Sequence, residues 1–171
     1  LIARMPSFGL QGSVRTLIGQ NLGAGLPERA VHTVKVALYA MTALMGVVSV
    51  IMFVFAPDIV VVFGLKGEGE GIGAMALRIL CVGLIMESAR RVATGVFQGS
   101  GITKPPMMIE GVVRWVVQLP AAVLMMFFGM GAASIWFAIA GSQAISGAAM
   151  LVWLWIWSRR GGLAKRATAI S

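Results

Sequence analysis

The stretch VKVALYAMTALMGVVSVIMFVFA, residues 34–56, contains a single charged side chain, Lys35, and is long enough to cross a bilayer as an α-helix. Of the 171 residues in the chain, 58% are apolar and 12% are charged. That charged share is about half of what a soluble domain carries. The composition therefore predicts an all-α membrane protein and excludes a soluble enzyme.

Other apolar runs repeat this pattern along the chain. Full-length spans are predicted at residues 34–56, 72–95, 107–128 and 135–157. A partial span is predicted at residues 1–22, cut short because the sequence begins at Leu1 inside an apolar run. We therefore expect a polytopic transmembrane helix bundle of about five spans over residues 1–157, taken from a longer protein.

The links between the spans differ in charge. Five spans force successive links onto alternate sides of the membrane, and the basic residues near one set are Arg29, Lys35, Arg90, Arg91, Lys104, Arg159, Arg160, Lys165 and Arg166. The other set, residues 57–71 and 128–134, has no such excess. Because lysine and arginine concentrate in cytoplasmic loops, the first set and the C-terminus are predicted to be cytoplasmic.

The C-terminal residues 158–171 are predicted to form a basic cytoplasmic tail, solvated or lying on anionic lipid. The net charge of +8 is thus explained by membrane topology. Membrane lipid is the expected partner, and nucleic acid is not.

A glycine-rich break, IGQNLGAGLPERA, occupies residues 18–30. Gly25 suits a left-handed cap that ends one helix, Pro27 suits the first turn of the next, and Glu28 complements the dipole of that turn. The break is predicted to be a tight hairpin, and bulky residues at Gly23 or Gly25 are expected to reduce the folded yield. A phosphate-binding loop is disfavoured because GxxxxGK[ST] is absent.

Glu87 is the charge that most needs an explanation. It lies in the span 72–95, roughly 5 Å from the bilayer midplane at helical rise, where an unpaired charge is costly. Arg90 and Arg91 follow at the spacing that brings side chains together on a helix. The residues alone leave two interpretations open, a structural ion pair and a cation or proton site.

The span 107–128 carries a polar stripe. Glu110, Arg114 and Gln118 recur every four residues, and Glu110 is predicted to pair with Arg114. Gln118 precedes Pro120, which removes a backbone hydrogen bond and favours a kink around a cavity. Gln118 is therefore predicted to line a cavity wall. The flexible thioether of Met125 suits the same surface, and a lipid-facing position explains it equally well.

Other polar residues indicate packing rather than catalysis. Ser142, Gln143 and Ser146 lie among small residues and are predicted to pack helices together. His32 is the only histidine, Cys81 is the only cysteine, and no metal-ligand spacing is present in the sequence. We expect no enzyme activity and no bound metal, apart from a coupling Na⁺.

Two passages carry a resemblance to a known family. VRTLIGQNLGAGLPERA, residues 14–30, is similar to the VGQxLGAGxxxxA hairpin of the multidrug and toxic compound extrusion (MATE) transporters. TGVFQGSGITKPPM, residues 94–107, resembles their GxLxGxGxTxxPM segment. The tryptophan and proline of RWVVQLPAAV, residues 114–123, also fit the family. The matching motif positions, interpreted as structural, are Gly19, Gln20, Gly23, Gly25, Gly99, Gly101 and Pro106.

The resemblance implies the C-terminal lobe of a transporter whose two six-helix lobes are related by a pseudo-two-fold axis. Such a transporter expels cationic small molecules against Na⁺ or H⁺ and needs the N-terminal lobe of the same protein. In NorM-like members an acidic residue eight positions before the first motif glycine helps to bind the coupling ion, and here that position is Glu87. The implied roles are ion coupling for Glu87 and ion pairing for Arg90 and Arg91, in a bacterial or archaeal plasma membrane.

Two alternatives remain open at this point. A lipid-linked oligosaccharide or lipid II flippase of the same superfamily moves an anionic headgroup, and the basic residues Arg78, Arg90, Arg91 and Arg114 are compatible with that substrate. A non-transporting membrane subunit would use Glu87 and the arginines as assembly pairs.

Overall fold

The computed structural model describes residues 5–129 and 133–170. These residues form helices α1 (Met5–Gly23), α2 (Pro27–Val54), α3 (Ala56–Val62), α4 (Glu68–Gly99), α5 (Lys104–Val112), α6 (Leu119–Phe127), α7 (Ala133–Arg159) and α8 (Gly162–Ile170). A wider π-helical turn, Val113–Gln118, joins α5 to α6. The prediction of an all-α fold is confirmed.

Four helical stretches are long and apolar enough to cross a membrane: Pro27–Val54, Gly69–Gly99, Lys104–Phe127 and Ala133–Arg159. They correspond to the four predicted full-length spans, and the polytopic bundle is confirmed. The predicted partial span becomes α1, which is not among these four stretches. Residues 1–4 of that prediction, and residues 130–132 of the predicted link 128–134, lie outside the described residues.

Helix α4 is the central helix, since it packs against α1, α2, α3 and α7. Its glycines allow backbones to approach closely: a Cβ on Gly95 would lie 2.8 Å from the carbonyl oxygen of Gln11, and one on Gly99 would lie 2.5 Å from that of Arg15. On the other side, a Cβ on Gly147 of α7 would lie 2.7 Å from the Met86 carbonyl oxygen. Small residues at such crossings are typical of helix packing in membranes.

The two glycine motifs end helices in the same way. Gly25 and Gly101 have φ of 69° and 73°. At the first turn the Gly25 amide donates to the Leu22 carbonyl (3.0 Å) and the Leu26 amide to that of Asn21 (2.8 Å). The second turn repeats the pattern at Gly101, so both are Schellman caps. The predicted left-handed cap at Gly25 is confirmed.

Bulky residues at Gly23 or Gly25 are predicted from the sequence to reduce the folded yield. Gly23 belongs to α1 and has open space where a Cβ would stand. The expected loss of folded yield is therefore retained for Gly25 and not for Gly23. Gly19 faces the Gly99 carbonyl, which places the two motifs against each other at one end of the bundle. Pro27 begins α2, and Pro106 lies buried in the first turn of α5.

The C-terminal segment, predicted to be a tail that is solvated or lies on anionic lipid, contains a further helix. Residues 162–170 form α8, which packs against α1, α2 and α7. Leu163 and Ala167 are buried in the same hydrophobic core as Ile18 and Phe97, and Trp157 packs on Phe97 with ring centroids 5.4 Å apart. The apolar side of α8 thus closes the end of the bundle that carries the basic links.

Two further elements differ from the simplest expectation. The link predicted at residues 57–71 contains helix α3, with Pro57 in its first turn. Next to Pro120, where a kink was expected, the structure has the π turn, in which the Leu119 amide donates to the Arg114 carbonyl, one residue beyond the α-helical partner.

We predict that Gly99→Ala destabilises the protein by about 1–3 kcal/mol, because the new methyl group overpacks the α1–α4 crossing. Gly46→Ala is the matched control: Gly46 has open space around it, and alanine favours a helix by up to ~1 kcal/mol. Thermal unfolding in detergent measures both variants. Equal unfolding midpoints for the Gly99→Ala and Gly46→Ala variants would contradict the backbone contact between Gly99 and Arg15.

Candidate functional site

The carboxylate of Glu87 is 3% exposed and is held by two arginines of its own helix. Arg90 donates from Nε to Oε2 (3.0 Å) and from Nη2 to Oε1 (2.8 Å). Arg91 donates from Nε to Oε1 (2.9 Å). The spacings of three and four residues place all three side chains on one side of α4. The ion pair that the sequence left open is therefore present.

Each arginine also reaches a second helix. Arg90 Nη1 pairs with Oε1 of Glu110 on α5. Arg91 Nη1 donates to Oε1 of Gln11 on α1 (3.2 Å), and its guanidinium lies 3.7 Å from the centroid of the Phe8 ring, within the range of a cation–π contact. The buried charges thus connect α1, α4 and α5 as one network.

This network borders a cavity of about 370 Å³, here called the charged cavity. The cavity lies between α4, α7 and the α5–α6 rod, which consists of α5, the π turn and α6 (Lys104–Phe127). Its lining includes the carboxylates of Glu87 and Glu110 and a larger number of guanidinium groups. It is completed by neutral residues. The full lining is Glu87, Arg90, Arg91, Glu110, Val113, Arg114, Gln118, Ile139, Ser142, Gln143 and Ser146.

The sequence predictions for the polar stripe meet different outcomes in the structure. Gln118 lines the charged cavity as predicted, and its Oε1 accepts a hydrogen bond from the Ser142 hydroxyl (3.3 Å). The predicted pairing of Glu110 with Arg114 is wrong, because Glu110 pairs with Arg90. Met125 is not among the lining residues of the cavity.

The structure adds residues that the sequence did not single out for the site. Ser142, Gln143 and Ser146 are buried beside α4, as packing requires, and they also line the cavity. Gln143 Oε1 is buried without a hydrogen-bond partner among the described residues. The spacing of 142, 143 and 146 on one helical face was the available signal, whereas the contact of Gln11 with Arg91 is 80 residues distant in sequence and had none.

The motif residues stand apart from this site. Gly19, Gly99 and Gly101 lie at the helix crossing and turn, Gln20 is exposed, and Pro106 is buried in the first turn of α5. Among the described residues, no group of three or more histidine, cysteine, aspartate or glutamate side chains is placed to hold a metal ion. The other side-chain oxygens that line the same cavity belong to Glu110, Gln118, Ser142, Gln143 and Ser146.

Membrane-length helices around a charged, polar cavity define an integral membrane protein. The chain belongs to the MatE family, whose model matches residues 1–124. This confirms the resemblance to the MATE transporters. Members of this family are transporters and not enzymes.

Individual relatives support the assignment. The chain is 25% identical over 133 residues to the "Probable multidrug resistance protein NorM" of Thermotoga maritima, covering 77% of this chain and 29% of that protein. It is 30% identical over 161 residues to the protein of the same name in Mesorhizobium japonicum, covering 91% and 34%. It is 31% identical over 150 residues to "Multidrug and toxin extrusion protein 1" of Oryctolagus cuniculus, covering 85% and 26%.

A solved structure shares the fold. It is described as the inward-facing conformation of a multidrug resistance MATE family transporter of the MOP superfamily, and it superimposes with a TM-score of 0.84 at 19% identity. The match covers 96% of this chain and 38% of the other. The chain thus spans between about a quarter and two fifths of the length of these four proteins.

We predict that Arg90→Gln lowers the stability by about 3 kcal/mol, because it removes a shared partner from two carboxylates. This is the lower end of the range for a broken buried pair, since the Glu110 side chain is 35% exposed. Adding Glu110→Gln to Arg90→Gln should recover part of the loss. Thermal unfolding in detergent is the measurement.

Arg114→Gln is the matched control for this prediction, because Arg114 lines the same cavity and pairs with no carboxylate among the described residues. Equal destabilisation by Arg90→Gln and Arg114→Gln would show that the network contributes no specific stability.

Proposed function

We propose that this chain is the C-terminal lobe of a secondary multidrug efflux antiporter, which expels cationic organic compounds against inward Na⁺ or H⁺ by alternating access. The proposal depends on the buried carboxylate of Glu87 at the border of the charged cavity, where two arginines both bind it. Family membership supports multidrug transport. Rocking of two repeated lobes around a central site is a common transporter design.

The ion pair and the ion site are parts of one mechanism in this proposal. Both oxygens of Glu87 accept hydrogen bonds from guanidinium groups. A cation or proton can therefore bind Glu87 only when at least one arginine breaks its hydrogen bonds to that carboxylate. Arg90 has an alternative partner in Glu110. Withdrawal therefore exchanges one carboxylate for another instead of leaving a buried charge unpaired, which would be costly.

Coupling follows from linkage. Glu87 cannot bind the coupling ion and Arg90 at the same time. An organic cation in the same cavity competes for the negative charge of Glu87. Transport requires that ion and substrate have different affinities for the two conformations. Glu110 stands on the α5–α6 rod and Glu87 on α4, so a relative movement of these elements would change which carboxylate Arg90 prefers.

The topology of the proposal places the charged links and α8 in the cytoplasm. The turns at Gly25 and Gly101 and helix α8 lie at one end of the bundle, which is the end that holds the basic residues of the links. An excess of lysine and arginine is the mark of cytoplasmic loops. The protein would reside in a bacterial or archaeal plasma membrane and work with an N-terminal lobe.

We predict that Glu87→Gln reduces energised efflux of ethidium at least roughly 10-fold, because an amide keeps the shape but cannot bind a coupling ion by its charge. Cells express the full reading frame that contains this chain, at matched membrane levels, and loss of dye fluorescence is followed. Glu87→Asp keeps the charge and should retain efflux. Glu28→Gln, which neutralises an exposed carboxylate in the first turn of α2, is the matched control.

Each outcome has a defined meaning. Equal efflux by wild type and Glu87→Gln would show that Glu87 is a structural charge only. Failure of Glu87→Gln to reach the membrane, with no dye transport by the wild type, would favour a non-transporting subunit. Repeating the assay with an imposed Na⁺ gradient and an imposed pH gradient distinguishes the two coupling ions.

A second candidate function is a flippase for a lipid-linked pyrophosphate. The observation in its favour is the excess of guanidinium over carboxylate groups in the charged cavity, with Arg114 unpaired among the described residues. Arg114→Gln should then abolish flipping of a fluorescent lipid-linked pyrophosphate in proteoliposomes. Unchanged flipping, or ethidium efflux without flipping, would rule this candidate out.

A further inference from the structure

A second concave surface lies away from the charged cavity, between α2 and α7 and below the start of α8. We call this space of about 670 Å³ the α2–α7 groove. Its walls are apolar along most of their length, with Val34 and Leu38 on α2, Leu151 and Leu154 on α7, and Leu163 on α8. From Val31 to Leu38 the groove follows α2 for roughly 10 Å at helical rise.

The polar groups of this groove lie toward the end at which α2 begins and α7 ends, where Val31 also lies. Lys35, Ser158 and Arg159 line it there, and the guanidinium of Arg159 lies 4.3 Å from the centroid of the Trp155 ring. Leu38 and Leu151 lie farther along the helices, away from the basic end. Among the described residues that line the groove there is no carboxylate.

We propose that the α2–α7 groove binds an anionic glycerophospholipid, with one acyl chain against Leu38 and Leu151 and the phosphate between Lys35, Ser158 and Arg159. The change from basic to apolar along the groove matches the change from headgroup to chain in such a lipid. Basic pockets between membrane helices are suited to anionic headgroups, and tryptophan favours the interfacial depth. The lipid is a bound partner of the fold, and the proposal does not depend on what the charged cavity transports.

The test is native mass spectrometry of the purified protein, expressed from the full reading frame and titrated with phosphatidylglycerol or phosphatidylcholine of identical chains. The wild type should retain phosphatidylglycerol at least ~10-fold more tightly, from the charge of two basic residues near the headgroup. Lys35→Gln with Arg159→Gln should remove most of this preference. Both side chains are exposed, so thermal unfolding should show that the variant remains folded.

Two further variants make the test specific to the groove. Arg29→Gln with Lys104→Gln removes the same charge from exposed residues outside the groove and should leave the preference unchanged. Leu38→Trp fills the groove without altering charge and should weaken binding of both lipids roughly 10-fold or more, as expected for loss of buried chain contacts. The proposal is overturned by an absence of phosphatidylglycerol preference, by equal losses in the two double variants, or by unchanged binding in Leu38→Trp.

Discussion

The cost of holding Glu87 among apolar helices organises the centre of this structure. A carboxylate that is 3% exposed needs compensating charge, and two arginines of the same helix supply it. The two arginines together carry more positive charge than Glu87 neutralises. Glu110 on α5 pairs with Arg90, and Gln11 and Phe8 on α1 contact Arg91. One buried charge thus fixes the relative positions of three helices and leaves a polar cavity beside them.

Close packing around α4 makes this arrangement possible. Gly95 and Gly99 allow α1 to approach α4 nearly to backbone contact, and Gly147 does the same for α7. Without a hydrophobic force between helices in lipid, such contacts and interhelical hydrogen bonds supply the association. The Schellman turns at Gly25 and Gly101 then return the chain at the same end, so that α8 can cover it.

The sequence predicts the fold well because apolar run length, capping glycines and helix-starting prolines are local signals. The Glu87 ion pair was equally accessible, since Arg90 and Arg91 lie within one turn of it. Four-residue spacing predicts a pair between Glu110 and Arg114, but the π turn begins at Val113 and Arg90 approaches from another helix. Neither the pairing of Glu110 with Arg90 nor the contact of Gln11 with Arg91 has a signal in the local sequence. The burial of Leu163 and Ala167 was hidden for a different reason, since basic neighbours made residues 158–171 resemble a solvated tail.

Under the proposed function, Arg90 and Arg91 have unequal freedom. Arg91 is tied to α1 through Gln11 and lies over Phe8, whereas Arg90 stands between two carboxylates on different helices. When a cation reaches Glu87, Arg90 can remain paired with Glu110, so no buried charge is left uncompensated. Because the two carboxylates belong to different elements, any movement of α5 against α4 shifts this balance and with it the affinity of Glu87 for the ion. The pairing of Glu110 with Arg90 is therefore the feature that would convert a structural salt bridge into a coupling device.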